Sequence, residues 1–132
     1  MSNRSGQEGF TLIEALVATT ILAMISLSFA LGAAGALRHN GYAQSLTAAT
    51  ALGYAKIEEL TEKAATDPQL TAGDHPDPVG PLRADGTAGG TFARSWTVTN
   101  DLPVAGLKTV EVQVGWTLYG TARTVRLVMV HS

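Results

Sequence analysis

Glu14 is the single ionisable residue in an apolar run of twenty-eight residues, Phe10 to Leu37. A carboxylate inside lipid costs at least about 2.5 kcal/mol even on permissive insertion scales, so it needs a partner cation or a bound proton. The alternative is that Glu14 lies at the lipid headgroup boundary, about 6 Å below Phe10, and reaches water. The chemistry of this carboxylate therefore depends on what surrounds the start of the run.

Other residues that could do chemistry are scattered. His39 and His131 stand alone, and the stretch Asp74-His75-Pro76-Asp77 is the one local cluster of metal-ligand types. We interpret that cluster as solvated turn residues, which are favoured for their backbone hydrogen bonding. The stretch Gly86 to Gly90 follows a loop and precedes a strand, which predicts a flexible turn and not a phosphate cradle. We predict no catalytic residue, no metal site and no cofactor.

Charge and aromatic residues give equally modest signals. A net charge of -2 and a pI of 5.8 provide no basic footprint, so nucleic acid is not an expected partner. Arg94, Arg123 and Arg126 form either a small basic patch or an ordinary solvated surface. Trp96 and Trp116 are predicted to be core or subunit-interface anchors. The absence of cysteine excludes a disulfide, a thiolate metal site and a cysteine nucleophile.

The apolar run, residues 10–37, is long enough to cross a bilayer, which needs roughly 20 residues. A cleaved signal peptide is the competing interpretation, because Ala34-Gly35-Ala36 has the small-x-small form of a cleavage site. The run is about twice the usual length of a signal-peptide apolar region, and Arg4 before it is offset by Glu8. We therefore favour a retained transmembrane segment.

Helix formers dominate from Phe10 to about Ala65, where no proline interrupts them, so the sequence predicts one long helix. Its second half, residues 42–65, is amphipathic, with Glu59 to Lys63 as a favourable pair on another face. The apolar stripe consists of Leu46, Ala49, Gly53, Ile57, Leu60 and Ala64. Three glycines at the end of the apolar run mark a flexible zone where local melting is plausible: Gly32, Gly35 and Gly41.

Proline and glycine then predict an irregular loop over residues 66–90. Beyond it the period changes to two, which predicts strands over Phe92 to Thr99, Val110 to Leu118 and Thr124 to Val130. The predicted fold is α+β: a long N-terminal helix, half transmembrane and half amphipathic, packed on a small three- to four-stranded antiparallel sheet within residues 91–132. Residues 38–132 would form the head.

The stretch Gly9-Phe10-Thr11-Leu12-Ile13-Glu14 resembles the processing site of the type IV pilin-like family, which includes pilins and the pseudopilins of type II secretion. The resemblance implies a leader of residues 1–9, cleavage by a prepilin peptidase between Gly9 and Phe10, and N-methylation of Phe10. It also implies that Glu14 of one chain faces the Phe10 amine of its neighbour, an attraction that is strong in a low-dielectric bundle.

Two further stretches, TALGYAKIEEL (50–60) and KTVEVQVGWTLYGTARTVRLVMV (108–130), resemble minor pilins of the PilV type and the I-type minor pseudopilins. The resemblance implies a non-enzymatic minor pilin that assembles with other pilins, with a minor pseudopilin as the alternative. Its N-terminus would be cytoplasmic, its anchor in the bacterial inner membrane and its head periplasmic. A membrane-anchored binding module that uses loop 66–90, or a protein secreted after cleavage at Ala36, are the remaining hypotheses.

Overall fold

A computed structural model of the chain describes residues 11–132. The predicted leader, Gly9 and Phe10 lie outside the described residues. The chain divides into two compact units, of which the first ends at Asn40 and the second is Gly41–Ser132. The predicted α+β class is confirmed: one long N-terminal helix and a four-stranded antiparallel sheet account for most of the described chain.

The first element is helix α1, Leu12–Thr61. Its sequence is rich in Ala and Leu and contains no proline, so nothing in it removes a helical hydrogen bond. Gly32, Gly35 and Gly41 all lie within its bounds. The local melting that these glycines suggested is therefore not present in the structure.

Helix α1 ends at Thr61, before the predicted end at Ala65. Leu60 and Leu70 are both fully buried in the same core cluster, so the chain has to turn back soon after Leu60. The turn begins at Lys63, whose N–H donates to the carbonyl of Leu60, three residues earlier. An α-helix would use the carbonyl four residues earlier. Helix propensity continued to Ala65, but the packing of Leu70 overrides it.

Two side chains of the sheet hold the segment that follows α1. The Lys108 ammonium donates to the carbonyls of Ala65 and Leu70, each at 2.7 Å. His131 Nε2 lies 3.0 Å from the carbonyl of Lys63. The backbone carbonyls just after the end of the helix are thus paired with side chains of the sheet.

The interval 66–90 is more ordered than predicted. It contains a single 3-10 turn, Pro68–Leu70, whose capping residue Asp67 accepts the Gln69 N–H at 2.9 Å. It also contains the short strand β1, Gly73–Pro76. Glycine and proline are poor strand formers, so the local sequence hides this strand, and its order comes from pairing with the neighbouring strand.

Three longer strands complete the sheet: β2, Ala93–Asn100; β3, Lys108–Leu118; and β4, Thr121–His131. They confirm the three predicted strands, with bounds that differ by at most three residues. All neighbours are antiparallel, in the order β1-β2-β3-β4. Tyr119 and Gly120 both have positive φ, as a tight two-residue hairpin turn requires, and they connect β3 to β4.

One face of the sheet is apolar and packs against the second half of α1. Along β3 the buried side chains alternate with partly exposed ones, and the buried set is Val110, Val112, Val114 and Trp116. This period of two confirms the predicted half-buried strand.

The face of α1 that packs against the sheet differs in detail from the apolar stripe predicted for it. Its buried residues are Ala49, Leu52, Gly53, Lys56 and Leu60. Leu52 and Lys56 were not predicted to face the core, and Ala64, which was, is exposed beyond the end of the helix. Gly53 allows a close approach, because a Cβ there would lie 2.5 Å from Leu127 Cδ1 on β4.

The glycine-rich stretch 86–90 is a hydrogen-bonded turn. The Arg83 N–H donates to the Thr87 carbonyl at 2.7 Å, and Leu82 and Phe92 exchange backbone hydrogen bonds in both directions. Gly90 has no space for a side chain, since a Cβ would overlap the Leu82 carbonyl. The turn is fixed by this pairing and is not the flexible segment that the composition predicted.

Candidate assembly site

Glu14 lies in the first turn of α1, three residues after Thr11. The Thr11 hydroxyl accepts the Glu14 backbone N–H at 3.3 Å, in the Thr-x-x-Glu pattern of a helix N-terminal cap. A carboxylate here also complements the positive end of the helix dipole. The Glu14 side chain is exposed among the described residues, and its predicted partner, the amine of Phe10, lies outside them.

The helix surface around Glu14 is apolar and uncovered. Large side chains on every side of the helix are at least half exposed: Leu12, Ile13, Leu16, Val17, Ile21, Leu22, Met24, Ile25, Leu27, Phe29, Leu31 and Leu37. This is the one helix of residues 11–132 whose length and composition suit a membrane span. An apolar surface on all sides is typical of a segment surrounded by lipid or by other apolar helices.

The hydroxyl groups in this segment are satisfied within the helix. Thr20 and Ser28 donate to the carbonyls four residues before them, at 2.8 and 2.9 Å, and Thr19 and Ser26 make similar bonds. Each hydroxyl hydrogen therefore has a partner without water. In this part of the chain Glu14 remains the one group with a large desolvation cost.

In the head, the feature that sequence reasoning missed is Lys56, which is 4% exposed. Its ammonium lies 4.1 Å from the centre of the Trp96 ring and donates to Glu59 and to the Gln69 side chain at 3.0 Å. His75 stacks on Trp96 with ring centres 5.5 Å apart. The pattern gave no signal because a lysine in a helix normally indicates a solvated face, and two of its partners, Trp96 and Gln69, come from segments far away in the sequence.

The candidate cluster Asp74-His75-Pro76-Asp77 does not converge on one point. Asp74 accepts from the Thr97 hydroxyl at 2.7 Å, and His75 Nε2 lies 2.8 Å from the Thr71 carbonyl. Asp77 faces a third partner, Arg94. Across residues 11–132, no three carboxylate or imidazole side chains lie close enough together to hold a metal ion. These residues belong to a strand and a buried ion pair, not to a solvated turn.

Asp77 and Arg94 form a buried ion pair with side chains 3% and 12% exposed. Arg94 Nε donates to Asp77 Oδ2 at 2.7 Å, and another guanidinium nitrogen donates to the Leu52 carbonyl at 2.9 Å. Asp77 also accepts the Val79 N–H at 3.0 Å. One guanidinium thus ties the segment after β1 to β2 and to the helix.

Removing this carboxylate should destabilise the head strongly. Asp77→Ala leaves the Arg94 charge buried without its partner, and breaking such a pair costs about 3–5 kcal/mol. The matched control is Asp85→Ala, in the same loop but fully exposed, which should leave the free energy of unfolding nearly unchanged. Urea unfolding followed by the fluorescence of Trp96 and Trp116 measures both, and equal effects of the two variants would contradict the assignment.

The Asp85 carboxyl group accepts two hydrogen bonds within its own turn. The hydroxyl and backbone N–H of Thr87 donate to it at 2.7 and 2.9 Å, and these hydrogen bonds lower the pKa of Asp85 below its usual value. The group is fully exposed, so this is a local feature of the turn.

The remaining candidates are engaged separately. The Arg123 guanidinium lies 5.4 Å from the centre of the Tyr42 ring, and Arg126 lies 3.8 Å from Glu111. Together with the Arg94 pair, these contacts give each arginine its own partner instead of a shared basic patch. Trp96 and Trp116 are 2% and 6% exposed, which confirms the prediction that they are core residues.

Comparison with known families finds one match, the prokaryotic N-terminal methylation motif, at residues 4–30. The motif includes Gly9, Phe10 and Glu14 and extends over residues 10–30 of the apolar run. Comparison with curated proteins and with solved structures gives no match. The chain therefore carries the signal of type IV pilins and pseudopilins at its N-terminus, followed by a helix that suits membrane anchoring.

Proposed function

We propose that the chain is a minor pilin that assembles through α1 into a type IV pilus or its initiating tip complex. The proposal starts from the N-terminal methylation motif. The single observation that carries this proposal is the motif at residues 4–30, which continues into an uncovered apolar helix. A prepilin peptidase processes proteins with this signal, and pilins assemble with other pilins. The narrower assignment as a minor pilin rests on the resemblance of residues 50–60 and 108–130 to minor pilins of the PilV type.

In this proposal the chain is a substrate of catalysis and not a catalyst. Cleavage between Gly9 and Phe10 creates a new α-amine four residues before Glu14. In a bundle of stacked helices, the Glu14 carboxylate of one subunit pairs with the Phe10 amine of the next, so that neither charge is left alone in an apolar environment. The pair then sets the axial register of neighbouring helices.

The apolar segment of α1 anchors the subunit in the inner membrane before assembly, with the N-terminus cytoplasmic and the head periplasmic. A minor pseudopilin of type II secretion is the alternative, because the same motif serves both machines. The two differ in what is lost when the gene is deleted: pilus formation in the first case, protein secretion in the second.

The N-terminus of the chain from its native membrane tests the proposal directly. We expect intact mass and N-terminal sequencing to give a chain that begins at N-methylated Phe10. A chain that begins at Leu37 would indicate a secreted protein with a discarded signal. A chain that retains residues 1–9 would indicate an anchored module outside the pilin pathway, and either of these results would overturn the proposal.

A further inference from the structure

Strand β4 is a long free edge of the sheet. It spans eleven residues, Thr121–His131, contains no proline and pairs only with β3 among the described residues. Leu127 to Val130 are four consecutive apolar residues, and Val128 and Val130 are 61% and 54% exposed. Natural proteins normally protect such an edge, since its unpaired N–H and C=O groups accept another strand. The edge is therefore open to pairing with another strand.

The opposite edge is β1, and it runs in the direction that pairing with β4 requires. In a four-stranded antiparallel sheet the two edge strands point in opposite directions. Two copies placed side by side in the same orientation therefore present β4 of one and β1 of the other as antiparallel neighbours. Pairing β4 with β4 would instead reverse every element of the second copy, including its helix.

The direction of the helix can be read from contacts within the head. Tyr119 lies beside Gly41 and Arg123 lies over Tyr42, whereas Met129 contacts Thr61. The helical segment 41–61 and β4 thus run in the same direction. A β1–β4 contact keeps these segments parallel between copies, as stacking by translation along a fibre requires.

The charges of the two edges are complementary on the outer face of the sheet. On this face β4 presents Arg126, whose side chain is 66% exposed and lies 3.8 Å from Glu111, and β4 has no acidic residue. β1 contains Asp74, which is exposed and lies on the outer face, because it hydrogen-bonds to Thr97 between the buried Trp96 and Val98. The Asp74 carboxylate of one copy and the Arg126 guanidinium of the next can therefore face each other when copies stack.

We propose that the β1 edge of a second copy of this chain adds to β4 and forms a continuous sheet between neighbouring heads. In the register that places opposite charges together, Asp74 lies across from Arg126 and His75 lies across from Val125. This register also preserves the faces, since Asp74 and Arg126 are outward and His75 and Val125 are partly buried on the inner side. The contact is head-to-tail, so it can continue from copy to copy.

Strand β1 suits the role of the shorter partner. It has four residues and ends at Pro76, which has no N–H to offer and is therefore tolerated at an edge. Its pairing covers Thr124 to Leu127 of β4. The inference rests on the proposed function in one respect only, that subunits stack with a single polarity.

Disulfide trapping between two full-length variants tests the contact, since the chain has no cysteine of its own. One variant carries Ala72→Cys and the other Val128→Cys, which oppose each other in the proposed register. Within one chain these positions are about 14 Å apart across the sheet, too far for a disulfide. In a detergent-solubilised mixture of the two variants we expect cross-linked dimer that neither variant forms alone.

The controls separate the outcomes. Thr117→Cys, on the outer face of β3, replaces Val128→Cys as the matched control and should give no dimer with Ala72→Cys. Adding Arg126→Asp to the Val128→Cys chain should lower the yield about tenfold, because like charges placed opposite each other destabilise a strand pair. Adding Asp74→Arg to the other chain should restore the yield.

Dimer from Val128→Cys alone would indicate β4–β4 pairing and overturn the inference, and so would a mixture that gives no dimer. The intact mass of chains from the native membrane shows whether residues 1–9 have been removed. It therefore tests the pilin proposal independently of the cross-link. A processed chain without the cross-link leaves the pilin proposal intact and removes the contact. An unprocessed chain that gives the cross-link does the reverse.

Discussion

Replacing Gly9 by valine is expected to leave the chain at full length, with no detectable N-methylated Phe10. The peptidase of the pilin-like family cuts after a glycine at this position, and the motif match includes it. Without cleavage the α-amine at Phe10 never forms, so Glu14 has no cationic partner in the neighbouring subunit. We therefore expect loss of both processing and assembly, measured by intact mass of the membrane fraction and by the amount of chain in sheared fibres or purified complexes.

The leader provides a matched control in Gly6, which lies in the same polar segment but outside the quoted processing stretch. Gly6→Val should be processed and assembled normally. If Gly9→Val assembled as well as Gly6→Val, the whole pilin interpretation would be refuted.

Replacing Glu14 has the second large expected effect. Glu14→Ala should be cleaved and methylated normally but excluded from fibres or complexes, because the Phe10 amine of a neighbour would be buried without its partner. Breaking a buried pair costs about 3–5 kcal/mol, which corresponds to at least a hundredfold loss in the equilibrium of incorporation. The ratio of incorporated to membrane-bound chain measures it.

The Thr11-x-x-Glu14 pattern makes a second variant necessary, because in a capping box the glutamate side chain bonds back to the N–H of the capping residue. Glutamine can replace glutamate in the capping pattern but carries no charge. If Glu14 acts through charge, Glu14→Gln fails to assemble just as Glu14→Ala does. If Glu14→Gln assembles normally, the residue acts as a helix cap and the register role is refuted.

The fold could be predicted to the extent that it depends on periodicity. The alternation of Val110, Val112, Val114 and Trp116 predicted β3, and the proline-free run predicted α1. Strand β1 could not be predicted, because Gly73 and Pro76 oppose strand formation and only the neighbouring β2 organises them. The end of α1 was placed too late for a related reason: the burial of a residue in a later segment decides where the helix stops.

The candidate site divides in the same way. Gly9, Phe10 and Glu14 are visible in the sequence because the signal is local, and their roles remain predictions that the variants above test. The burial of Lys56 and the pairing of Asp77 with Arg94 have no local signal, since Trp96, which covers Lys56, and Arg94, which pairs with Asp77, both lie on the distant strand β2. Charged residues of this kind are read from sequence as surface until the partner is known.

The loops of the head are held by the charged side chains of a lysine and an arginine instead of by disulfide bonds. Lys108 holds the carbonyls of Ala65 and Leu70, and Arg94 holds Asp77 and the Leu52 carbonyl. With no cysteine in the sequence, none of these attachments responds to thiol reductants or oxidants. The head can therefore close its loops without an oxidising compartment or a disulfide isomerase, and thiol–disulfide chemistry in its surroundings does not affect its folding.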